Sequence, residues 1–130
     1  MIFKRNEGFR FAFGEPLEAN YVILLDGKPI SIEQPRVACD SIDISPRGMK
    51  MATETDFTQY SSHAVQLEIY FMLDKMQIKA IGDIGWSKQL GKRTQYGITF
   101  PSQSNLDDII ISELKARRKR EVTEVKVKKV

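Results

Sequence analysis

Cysteine and histidine are nearly missing: the 130 residues hold one of each, Cys39 and His63. A lone cysteine excludes an intramolecular disulfide and suits a reducing compartment. One cysteine and one histidine exclude a His/Cys metal cluster and a Cys/His catalytic dyad. His63, next to Ser61 and Ser62 and just before an extended segment, reads as a solvated loop residue. Carboxylates are scattered, and none pair on one face for acid–base work. No phosphate-binding loop or dinucleotide fingerprint occurs. An enzyme is therefore not expected, and neither is a metal or a cofactor. No uninterrupted apolar run approaches the ~20 residues of a membrane helix. Charges between Met1 and Arg10 stand where a signal peptide needs an apolar stretch. The expectation is a soluble, cytoplasmic protein with no membrane partner.

Length fits one domain. The formal charge of +3 is unevenly spread. Residues 115–130 carry eight Lys/Arg and two Glu, against twelve Lys/Arg and fifteen Asp/Glu in residues 1–114. The body is slightly acidic and the end is basic, so the high pI does not describe the folded part. Nucleic acid is accordingly not expected as the partner. A binder using residues 115–130 stays open, and would show strongly salt-dependent affinity.

What the chain does have is alternation. In Ala64–Leu73, Val65, Leu67, Ile69, Phe71 and Leu73 share one face, the mark of a half-buried strand. Met76, Ile78, Ala80, Gly82, Ile84 and Trp86 repeat the logic after a short turn at Asp74-Lys75. Arg93–Phe100 follows the turn Gln89–Lys92 and points Tyr96, Ile98 and Phe100 inward. Trp86, Tyr96 and Phe100 are all predicted to be core. Upstream, Leu17–Leu25 alternates and ends in Asp26-Gly27, a hairpin turn of residues that tolerate positive φ. Pro29–Glu33, Arg36–Ile44 and Gly48–Thr53 are further extended segments. Six or seven short strands at this spacing predict an antiparallel sandwich or barrel, and closure would remove the exposed edges.

One helix is predicted, at the end. Ser104 and Asp107 resemble a capping box, with Asn105 as a competing cap. Leu106, Ile109, Ile110 and Leu114 recur at helical spacing. The expected layout is an arm over 1–12, a barrel over 13–103, a helix over 104–120 and a basic tail over 121–130. That tail alternates Val with Lys, Thr and Glu, and reads as a frayed end or a strand added to something else.

Two segments carry recognition chemistry. The first is the basic leader Lys4-Arg5-Asn6-Glu7-Gly8-Phe9-Arg10. Its arginines can pair bidentately with phosphate or a guanine edge, and can stack on a base. It also reads as a plain solvated terminus. The second is Asp43-Ile44-Ser45-Pro46-Arg47-Gly48. Here Asp43 can accept from guanine or arginine, Ser45 and free N–H groups can face a phosphate, and Gly48 permits close approach. It reads equally as a hairpin turn held by its own Asp and Ser side chains.

Together these segments resemble the PilZ family, whose signature is an R-x-x-x-R arm followed by [D/N]-x-S-x-x-G. Asp43, Ser45 and Gly48 match the second part. Gly82-Asp83-Ile84-Gly85-Trp86 is similar to the family's G-x-[V/I]-x-W strand, and Tyr96-Gly97-Ile98-Thr99-Phe100 to its Y-G-I-x-F strand. The resemblance covers roughly residues 3–118. The arm departs from the pattern: position 6 holds Asn6, and Arg5 and Arg10 are one residue too far apart. Asn6 can hydrogen-bond but does not replace a charge. Losing a charge-assisted contact costs about 1.5–3 kcal/mol.

The resemblance implies a small, mainly β, antiparallel six- or seven-stranded Greek-key-like barrel with a C-terminal helix. It implies a cyclic di-GMP receptor and adaptor that catalyses nothing. Arg5, Asn6, Arg10, Asp43, Ser45, Arg47 and Gly48 would hold the ligand. The arm would order on binding and signal to an unidentified effector protein, and a homodimer is compatible. The alternative is a PilZ-fold interaction module that has lost nucleotide binding, for which Asn6 is the motive.

Overall fold

The computed structural model describes residues 10–31, 33–103 and 105–128. Seven strands are present: β1 (Phe11–Leu25), β2 (Lys28–Pro29), β3 (Val37–Ser45), β4 (Gly48–Thr53), β5 (Val65–Met72), β6 (Gln77–Leu90) and β7 (Arg93–Thr99). One helix, α1 (Leu106–Lys128), ends the chain, and a 3₁₀ turn covers Phe57–Tyr60. The strands run antiparallel in the order β1-β3-β4-β7-β6-β5, and β5 pairs back onto β1. The result is a closed six-stranded barrel, with β2 as an extra strand on β1.

The inward residues form one core. Tyr21, Ile44, Met49, Met51, Leu67 and Ile69 are fully buried at its centre. Phe57 plugs one end, packing edge-on against Tyr21 and tilted against Tyr96. At the other end α1 lays Leu106, Ile110 and Leu114 on the barrel, at i, i+4 and i+8. Glu113 then accepts the N–H groups of Lys75 and Met76, and Arg117 lies over the Phe13 ring and donates to the Leu73 carbonyl.

Asp26 and Gly27 both have positive φ and close the β1–β2 hairpin in the manner their sequence predicts. Other expectations need correction. The strand expected over Pro29–Glu33 shrinks to Lys28–Pro29. Past it the Gln34 amide takes the place of a neighbouring strand, accepting from Ile23 N–H (2.9 Å) and donating to Ile23 O (3.2 Å). Phe11 and Ala12, expected in the arm, begin β1 and pair with Ile44 and Asp43.

The helix does not stop at 120, and the segment expected as a tail is helical to Lys128. Three contacts between side chains and the helix carry it past its barrel contact. Arg117 pairs with Glu121 (3.0 Å), Arg120 with Glu124 (3.9 Å), and the Thr123 hydroxyl donates to Lys119 O (3.0 Å). Extending an existing helix adds one bond per residue, which overrides the weak propensity of valine.

Two residues assigned to the core are outside it. Met76 precedes β6 in the turn and is 51% exposed. Trp86 is 48% exposed. The cause is a bulge: Ile84 pairs with Ile98, but Trp86 pairs with Gly97, leaving Gly85 as an extra residue. Unbroken pairing would have set Trp86 against buried Tyr96. The inserted residue turns its side chain to the outer face.

Candidate functional site

Five strands place one residue each in a single row across the barrel's outer face. Ala12 of β1 pairs with Asp43 of β3, and Asp43 with Lys50 of β4. Lys50 pairs with Gly97 of β7, and Gly97 with Trp86 of β6. The row is possible because outward residues alternate with core residues on each strand, as Lys50 does between Met49 and Met51. Gly97 is its low point. A Cβ there would lie 2.0 Å from Trp86 Nε1, so the indole lies directly across the glycine.

Arg10, just ahead of β1, closes the row from above. Its guanidinium reaches the Asp43 carboxylate at 2.5 Å, and Lys50 Nζ approaches the other oxygen at 3.8 Å. Asp43 is only 13% exposed at its side chain, held between two cations that remain open to solvent. Arg10, Asp43, Lys50, Trp86, Gly97 and Thr99 line a groove of roughly 320 Å³. That size is at the low end for small-molecule sites. The groove offers two cations against one carboxylate, beside a flat aromatic wall. Its chemistry suits an anion that carries a planar ring.

Only part of the predicted site meets in this groove. Arg10 and Asp43 come together there. Ser45 is buried, donating to Gly48 O (3.4 Å) and accepting Arg47 N–H (3.2 Å), so its hydroxyl is used inside the turn. Gly48 is buried too, and a Cβ on it would sit 2.2 Å from the Ile98 carbonyl oxygen. Arg47 turns towards the helix, 3.6 Å from Asp107, and its carbonyl accepts Phe100 N–H. Arg5 and Asn6 lie outside the described residues. Lys50 and Trp86 were not predicted as site residues. Lys50 had a readable signal, a lone cation between two inward methionines. Trp86 did not, because alternation cannot announce a bulge.

His63 is a loop residue, as expected, and its Nδ1 lies 2.9 Å from Asp26 Oδ2. Burial pushes the Cys39 thiol up to about 12, so it stays protonated and unreactive. No group of three His, Cys, Asp or Glu residues able to hold a metal occurs among the described residues. Among them, no helix is long and apolar enough to cross a membrane.

The closed antiparallel barrel, the turn joining β3 to β4 and the capping helix define a PilZ-like fold. No family model matches the chain, and no curated protein matches it. Among solved structures the chain is similar to MrkH of K. pneumonia in its apo state, with a TM-score of 0.59 and 18% identity. The match covers 93% of this chain and 56% of that one, so this chain spans little more than half of MrkH's length. At that identity the likeness is one of fold.

Proposed function

We propose that this protein is a receptor for cyclic di-GMP, with its ligand groove on the outer face between Arg10 and Trp86. The observation that carries the proposal is the cross-strand row Asp43–Lys50–Gly97–Trp86 with Arg10 above it. Arg10 and Lys50 meet phosphate, Asp43 accepts from a guanine N–H, and the indole stacks on a purine face. Ser45 and Gly48 act one step back, holding the turn that aims Asp43. The PilZ-like fold and the match of Asp43, Ser45 and Gly48 to the family signature support the same reading. On binding, Arg10 exchanges Asp43 for the ligand, the leader orders over the groove, and the new surface is read by a partner protein.

Calorimetric titration with cyclic di-GMP tests this. Saturable heat and a raised melting temperature are expected, and Arg10→Ala should weaken binding roughly ten- to hundredfold through loss of a charge-assisted contact. Asn6→Arg should tighten it. No heat and no melting shift at high micromolar ligand would leave the second reading, a PilZ-fold interaction module without a nucleotide. One observation favours that reading: Asp43 already has two cationic partners, so a ligand must displace a formed ion pair.

A further inference from the structure

β6 changes neighbours along its length. From Gln77 to Asp83 it pairs with β5, and from Asp83 to Leu90 with β7. Beyond Ile84, therefore, the side that β5 had covered is open. Among the described residues no backbone hydrogen bond reaches Gly85–Leu90 from that side. Every residue of this stretch is exposed. Every second one points its N–H and C=O outward, as an edge strand must. Alongside runs a groove of roughly 580 Å³, floored by Phe57, Val65, Ile84 and Tyr96. An unpaired ladder beside an apolar floor fits an extended strand and not a helix.

We propose that the open edge of β6 over Gly85–Leu90 docks an extended acidic segment of a partner protein, added as a further strand. Charge selects the partner. The hairpin from Ile84 to Phe100 carries Lys88, Lys92 and Arg93 and no carboxylate. Arg93 is taken up by Asp40 at 2.7 Å, while among the described residues Lys88 and Lys92 form no ion pair. Lys88 shares its face with Trp86 and Leu90, which are 48% and 47% exposed. An incoming strand thus meets two apolar surfaces with a cation between them. Glu54 and Asp56 line the groove together with Lys92, so the acidic residue of the incoming strand is the one set against Lys88, which stands outside that lining. The same lysine opposes pairing of this edge with a second copy of itself, since like charges would be brought together.

The probe is the capped peptide Thr-Val-Thr-Glu-Thr-Val-Thr, added to the full chain without nucleotide, with amide hydrogen exchange as readout. Saturable slowing confined to Gly85–Leu90 is expected. The version with Lys in place of Glu should bind at least tenfold more weakly, and one N-methylated at alternate residues not at all. Lys88→Glu, at an exposed position, should reverse the preference between the two peptides. No saturable protection at millimolar probe, or equal protection by both peptides, overturns the proposal. Protection in the free protein overturns it too. If that protection rises with concentration, a second copy covers the edge; if it does not, the chain covers its own edge. None of these outcomes depends on whether the protein binds cyclic di-GMP.

Discussion

From Gln77 to Asp83, β6 lies between β5 and the side-chain amide of Gln103, which brackets Ile81 at 2.9 and 2.8 Å. There Ile78, Ala80 and Gly82 are buried in strict alternation. From Gly85 to Leu90 the same strand has β7 alone, and nothing on it is buried. One inserted residue separates the two regimes. The near half is a wall of the core. The far half is surface on both faces, and its first side chain, Trp86, stands between the groove beside Arg10 and the groove beside the open edge. A bulge has thus released a stretch of sheet from the task of packing, and packed wall and exposed surface separate along one strand.

The widest gap between the halves should appear in stability. Ile78 is 3% exposed in the near half, and Ile78→Ala removes core volume that rigid neighbours cannot refill. A loss of about 2–5 kcal/mol is expected in urea unfolding. The groove should change little in any protein that remains folded. A loss below 1 kcal/mol would mean that the near half is not core and the contrast is false.

Gly97→Ala attacks the junction from the β7 side. The added Cβ would fall 2.0, 2.3 and 2.6 Å from three indole atoms, so the ring must leave its place. A cost of about 1–3 kcal/mol is expected from overpacking. Trp86 is the single tryptophan, so its emission reports on this event alone. It should shift to the red as the ring moves into water, and ligand affinity should fall with it. Unchanged emission would show that the indole does not rest on Gly97.

Trp86→Ala should give the cleanest separation. With half its surface in water, the ring contributes about 1 kcal/mol to stability. Loss of a base-stacking face should cost about 1–3 kcal/mol in cyclic di-GMP binding by titration. If binding is intact in this variant, the aromatic wall has no part in the site.

How far these features were readable from residues alone depends on their range. The alternation in Val65–Leu73 and the Asp26-Gly27 turn are local, and local sterics decided them. The α1 stripe at Leu106, Ile110 and Leu114 was legible for the same reason. The row Asp43–Lys50–Gly97–Trp86 was not. It requires the register of four separate strands, and register is fixed only once all inward faces are packed together. Of the motif, Asp43 lines the groove, whereas Ser45 and Gly48 serve the turn. Trp86 was misplaced because an alternation count runs straight through Gly85. The helical end of α1 was missed because Val122 and its neighbours favour strands locally, while the helix before them sets their conformation.

The smallest effect should come from acid, on the bank facing the open edge. Two exposed carboxylates organise that bank. Asp26 lies 2.9 Å from His63 Nδ1 and accepts Ala64 N–H at 3.1 Å. Asp56 accepts both the N–H and the hydroxyl of Thr58, starting the 3₁₀ turn under Phe57. The His63 contact first, and the Ala64 N–H second, hold the Asp26 carboxyl below its usual 3.8. The Thr58 N–H and hydroxyl do the same for Asp56. A carboxyl with a lowered folded-state pKa binds protons less readily when folded than when unfolded. Its contribution is therefore complete above the ordinary carboxylate range, and is lost as pH falls through and below 3.8. Both groups are solvated, so the loss should be slight and further weakened by salt. Amide exchange over residues 57–64 should accelerate below that pH before the near half of β6 responds. Asp26→Asn and Asp56→Asn should each flatten this acid limb. Should the two regions open together in acid, the bank is no looser than the core, and the division between packing and recognition would stop at β6 itself.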